Sequence, residues 1–160
     1  MFLLTTTERQ ALLAHAQEGF PNEVCGVILQ EPAGRRVLIR GENVQDALHE
    51  QNPNLPPPPS AYTLAPQTRR RVRDCLRAGG RLLVVYHSHP NGLAEFSRAD
   101  HRQALNSVGV PHYAGAVQVV VALGGLINQP QVVAVVWDPL ARRYRRLDGW
   151  DPSPPSGGGG

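Results

Sequence analysis

In "YHSHPNGLAEFSRAD", residues 86–100, two histidines follow an apolar run, and a serine and an aspartate stand three apart farther on. On a strand, side chains at i and i+2 point to one face. His87 and His89 therefore present two imidazoles side by side where "RLLVVY" leaves a sheet, and two neutral nitrogens at that separation can hold one metal ion. Pro90 and Gly92 then turn the chain, and Ser97 opens a helix. A carboxylate in that first turn, Asp100, can swing towards the imidazoles as a third ligand. His, His and Asp around zinc leave the fourth tetrahedral position to water, which is the layout of a catalytic site rather than a closed structural one. Each half has a plainer reading as well: strand-end histidines satisfied by hydrogen bonds, and an S-x-x-D pair that caps a helix. The conjunction at this spacing points to the metal.

A zinc hydrolase also needs a base that takes a proton from the attacking water and delivers it to the leaving amine. Glu23, in "PNEVCGV", stands at the start of a strand beside apolar neighbours that would raise its pKa. Cys25, two residues on, shares its face. Cysteine is among the most buried residue types, so packing beside the site is the expected role rather than redox chemistry or catalysis.

An upstream glutamate, then H-x-H, seven residues, S, two residues and D are met without a gap by Glu23, His87, His89, Ser97 and Asp100. This pattern resembles the signature of the JAMM (MPN-plus, JAB-domain) zinc metalloproteases, with "PNEVCGVIL" similar to the family's glutamate strand and "YHSHP" to its strand end. Phe96 stands where the family often has proline, and "NPNLPPPPS" has no family counterpart. The resemblance implies a cytidine-deaminase-like fold, a mixed sheet between helices with zinc at one sheet edge. It implies one zinc ion on His87, His89 and Asp100, Glu23 as acid and base, and Ser97 as hydroxyl donor to the oxyanion. The implied reaction is hydrolysis of an isopeptide or peptide bond after the C-terminal Gly-Gly of a ubiquitin-like or sulfur-carrier protein. The same ligands would serve a hydrolase that releases an amino acid such as cysteine from the end of a sulfur-carrier protein. A non-catalytic MPN module would lack ligands, and none is missing. A base deaminase would need H-x-E with P-C-x-x-C, and no such pair occurs.

The elements that must position these groups follow from periodicity. "TTTERQALLAHAQEGF" predicts a helix with a capping box from Thr7 to Gln10 and with Leu12, Leu13 and Ala16 on one face. "EVCGVIL" and "RRVLIR" predict a hairpin turned at "QEPAG". "PNLPPPPS", 53–60, predicts an extended surface loop inserted into the domain. A second helix is expected over "PQTRRRVRDCLRAGG", with Val72, Cys75 and Leu76 inward, and a third from Arg98 to Val108. "RLLVVYH", "GAVQVVVAL", "QVVAVVWD" and "RRYRRL" complete a sheet of five or six strands with about three helices, an α/β or α+β domain over 1–150. Residues 151–160 read as a flexible Pro/Gly-rich tail.

Composition bounds the rest. At 160 residues, 41% hydrophobic and 18% charged, the chain is one globular domain. The net charge of +3 comes from arginine alone, since lysine is absent. The dense groups at 69–73 and 142–146 read as solvated faces of a helix and an edge strand, so no nucleic-acid partner is expected. Cys25 and Cys75 make no disulfide scaffold, and a cytoplasmic compartment is expected. The longest apolar stretch is too short and too glycine-broken to span a bilayer, so no membrane partner is expected. The number of copies in solution is left open, a homodimer included.

Overall fold

The computed structural model of the chain describes residues 4–58, 61–124 and 130–150. The elements are α1 (Thr6–Gly19), β1 (Cys25–Gln30), β2 (Arg36–Gly41), α2 (Gln45–Gln51), α3 (Pro66–Arg77), β3 (Arg81–His89), α4 (Arg98–Ala104), β4 (Val117–Ala122), β5 (Gln131–Asp138) and β6 (Arg143–Arg146). The strands form one six-stranded sheet in the order β2-β1-β3-β4-β5-β6. Only β3 and β4 run parallel, and the connection between them carries α4, because parallel neighbours need a crossover. The expected mixed α+β sheet is therefore present. The tail at 151–160 and part of the proline loop, 59 and 60, lie outside the described residues.

Each face of the sheet buries its own apolar cluster. Val84 and Tyr86 of β3, with Val117, Val119 and Val121 of β4, pack with Leu12 and Ala16 of α1. The opposite parity, Val85 of β3 with Val27 and Leu29 of β1, packs with Val72 of α3. His87 and His89 continue the parity of Val85, so the alternation that builds the core also aims both imidazoles towards the α3 side.

Several boundaries differ from the sequence reading, each for a local physical reason. The capping box of α1 joins Thr5 to Glu8 rather than Thr7 to Gln10; a carboxylate is the stronger acceptor at a helix N-terminus, and Glu8 also takes two hydrogen bonds from Arg36. The described residues hold four helices rather than about three. α2, "QDALHEQ", has seven residues and no side-chain cap, and its paired Ala47 and Leu48 carry no helical period. α4 stops at Ala104, not Val108, because Leu105 turns extended to bridge Pro111. Asn106 Oδ1 accepts from the N–H groups of Val108 and Val110 at 3.0 Å each, offering those amides an alternative to the helix. In α3 Val72 is buried and Cys75 half-buried, whereas Leu76 is exposed. The arginines at 69–71, at 73 and on the edge strand β6 are exposed, as their dense spacing suggested.

Candidate metal centre

The site grows from the C-terminal end of β3, an inner strand, rather than from the lateral edge of the sheet. His87 pairs across β1 with Cys25. Continuing that antiparallel register places Val24 beside Ser88, where Ser88 N donates to Val24 O at 3.0 Å, and Glu23 beside His89. Residues opposite one another on antiparallel strands share a face, so Glu23, Cys25, His87 and His89 all look the same way.

Asp100 arrives from α4. Ser97 is its N-cap: Ser97 Oγ accepts from Asp100 N at 3.1 Å, and Asp100 Oδ2 accepts from Ser97 N at 2.8 Å. This capping box locks the carboxylate over the imidazoles. His87 Nε2 lies 3.0 Å from Asp100 Oδ1, His89 Nε2 lies 3.1 Å from Asp100 Oδ2, and the two ring nitrogens are 3.1 Å apart. All three residues are buried, and their donor atoms fall within 4.8 Å of one another.

This donor set fits zinc. Ligands about 2.0–2.1 Å from a tetrahedral ion are about 3.3 Å from each other, close to the separations above. His89 Nδ1 donates to Leu93 O at 2.8 Å, which directs Nε2 at the cluster in the manner of an outer partner that orients a metal-bound imidazole. His87 Nδ1 has no hydrogen-bond partner. Its ring instead stacks on Tyr62, centroids 4.6 Å and planes 22° apart.

The electrostatics separate the acids by task. Burial would raise the pKa of Asp100, but hydrogen bonds from both imidazoles and from Ser97 N outweigh it and hold the carboxyl well below the usual carboxylate range. Burial lowers His87, whereas for His89 it is outweighed by Asp100 and the Leu93 carbonyl, which raise it. Glu23 is pushed up to about 8, chiefly by burial, with His89 opposing and Asp100 adding. It lines the same cleft of about 660 Å³ as His89, Ser97 and Asp100, yet it is not one of the three clustered ligands. Burial pushes the Cys25 thiol up to about 12, which suits packing and not a nucleophile.

All five residues singled out in the sequence, Glu23, His87, His89, Ser97 and Asp100, thus meet at this end of β3. Three more went unnoticed there: Ser88, whose Oγ accepts from Val24 N at 2.8 Å; Tyr62; and Asn43. Only Ser88 left a signal, as the residue inside H-S-H. No helix among the described residues is long and apolar enough to cross a membrane.

Comparison with known proteins bears on the fold and the family. No curated protein matches the chain. Solved structures similar to the chain include a protein of Desulfitobacterium hafniense, 22% identical over 92% of this chain and 90% of its own, with a TM-score of 0.64, and a protein of Salinibacter ruber, 23% identical over 96% and 93%, with a TM-score of 0.57. At that identity they speak for the fold alone. The sequence pattern of the prokaryotic homologs of the JAB domain matches residues 6–138, a span holding all three ligand candidates and Glu23. By that match the chain belongs to the prokaryotic JAB-domain family.

Proposed function

We propose that the protein is a zinc-dependent peptidase or isopeptidase that cleaves after the C-terminal Gly-Gly of a ubiquitin-like or sulfur-carrier protein. The observation that carries the reading is the place of Glu23, which lines the cleft of His89 and Asp100 without joining the ligand cluster; burial raises its carboxyl above the usual carboxylate range. A zinc ion held by His87, His89 and Asp100 would supply Lewis-acid polarisation of the scissile carbonyl and a lowered pKa for water.

The chain's own residues do the rest. Glu23 removes a proton from the attacking water and passes it to the leaving amine, so one carboxyl serves as base and then as acid. A carboxyl whose pKa burial raises is suited to taking a proton and returning it. Ser97 Oγ accepts from Asp100 N, and accepting leaves its hydroxyl proton free to donate to the oxyanion. Leu48, Leu55, Pro56 and Leu93 line the cleft, apolar side chains suited to an extended chain. The Gly-Gly class rests on the family resemblance. A reducing cytoplasmic setting is in keeping with two free cysteines.

The test is cleavage of a Gly-Gly-terminated carrier protein extended by a short peptide, or by a single cysteine, by the purified full chain. Cleavage that stops on chelation, returns with zinc and is lost in Glu23→Gln is the expected result. Chelator-resistant cleavage, or none on either extension, would overturn the reading.

A further inference from the structure

The carboxamide of Asn43 is saturated. Its Nδ2 donates to Glu23 O at 2.9 Å and to Ala61 O at 3.2 Å, while its Oδ1 accepts from Gln45 N at 3.0 Å and from Thr63 N at 2.9 Å. An amide has two N–H groups and two lone pairs, and here each is used. The orientation is fixed by its partners, because a flipped amide would set oxygen against two carbonyls.

These partners come from both halves of the site. Glu23 is the proposed acid and base. Ala61 and Thr63 flank Tyr62, the ring stacked on His87. His87 Nε2 is held by Asp100, but Nδ1 has no partner, so on that side the ring rests on packing, and Tyr62 is the stacked surface. We infer that Asn43 is a positioning residue that braces Glu23 and the Tyr62–His87 stack against each other. The part of this that concerns His87 rests on the metal-centre reading above.

The two sides of the carboxamide differ in importance. On the Oδ1 side, backbone bonds already close the turn: Val44 N to Thr63 O at 3.0 Å and Ala65 N to Glu42 O at 3.1 Å. The Nδ2 side joins the Glu23 carbonyl to the Ala61 carbonyl, two acceptors that cannot bond each other and need a donor between them. Glu23 N donates in turn to Pro58 O at 3.0 Å. Both backbone polar groups of Glu23 are thus held by residues remote in sequence, before β1 begins.

Asn43→Asp isolates the Nδ2 side, keeping Oδ1 and its acceptor role while turning a second oxygen towards two carbonyls. Asn106→Ala, which breaks another carboxamide turn away from the site, reports the effect of destabilisation alone. Amide exchange of the metal-free full chain is the first readout. Glu23 and Val24 should exchange at least about ten-fold faster in Asn43→Asp, with Val27 and Ile28 unchanged. Calorimetric titration with Co²⁺ is the second, and affinity should fall about 10–100-fold in Asn43→Asp. Tyr62→Leu should lose affinity similarly, Tyr62→Phe should keep it, and Asn106→Ala should alter neither readout. Unchanged exchange at Glu23 and Val24, or equal acceleration along all of β1, overturns the brace. Accelerated exchange with unchanged Co²⁺ affinity overturns the link to His87. If the wild-type chain takes up no Co²⁺, the metal-centre reading falls with the His87 link, while the brace to Glu23 is still decided by the exchange rates.

Discussion

Val24 and Ser88 exchange two hydrogen bonds, Val24 N to Ser88 Oγ at 2.8 Å and Ser88 N to Val24 O at 3.0 Å. Ser88 is the residue between the two histidines and is fully buried. Its side chain points away from the imidazoles, so it fastens the backbone beside Glu23 to the backbone that carries them. Ser88→Ala would leave the Val24 N–H buried without a partner, and the expected loss is about 1–3 kcal/mol. Urea unfolding with chelator present measures it. A change below about 0.5 kcal/mol would mean that water or a backbone shift satisfies Val24.

Asp100→Ala should remove most of the bound zinc, measured by elemental analysis after dialysis, because two imidazoles alone provide too few anchors. Glu23→Gln should retain zinc in full while hydrolysis is lost. Loss of metal in Glu23→Gln would make Glu23 a ligand, against its separation from the cluster.

Ser97→Ala tests two roles at once. The cap reading predicts a stability loss of about 0.5–2 kcal/mol, together with weaker zinc binding, since Asp100 loses the partner that fixes its turn. The oxyanion-donor reading predicts a fall in kcat of about 10²–10³ at saturating zinc. Stability loss with kcat unchanged would leave Ser97 as a cap alone.

His15 gives a pH signature remote from the metal ligands. Its Nδ1 lies 2.7 Å from Tyr86 Oη; the phenol, pushed well above its ordinary value by burial, remains the donor, so the imidazole must be neutral to accept. Burial, with the Arg40 charge adding to it, lowers His15 to about 4. The folded pKa lies below the unfolded value, so as pH falls the unfolded chain binds the proton first. Stability from this group is complete above about 6.5 and is lost as pH falls from there towards about 4. Partial exposure should keep the slope below about 1.4 kcal/mol per pH unit. His15→Gln keeps an acceptor without the titration, and the stability difference between the two proteins should narrow across that window. A difference independent of pH would refute the assignment.

The grouping of His87, His89 and Asp100 was legible because its signals are short. H-x-H has the period of a strand, S-x-x-D the period of a helix start, and each places its side chains through local backbone geometry alone. The hairpin at "QEPAG", the buried β3 and the two longer helices were legible for the same reason. Glu23 became readable as a candidate site residue only in company with that motif, since one carboxyl at a strand start has no local mark.

What no local pattern could disclose is how distant segments meet. The order β2-β1-β3-β4-β5-β6 sets β1 beside β3 and so brings Glu23 to His89 across more than sixty residues of chain. The pairing of 42–44 with 63–65 accompanies the approach of Leu55, Pro56 and Tyr62 to the cleft, where Pro58 O accepts from Glu23 N and Tyr62 stacks on His87. Asn43 is a polar residue after a strand, like many others, until Glu23 and Ala61 are beside it. Hydrogen-bond donors and ring faces act over a few ångströms, and which of them come that close depends on strand pairing and core packing summed over the whole domain.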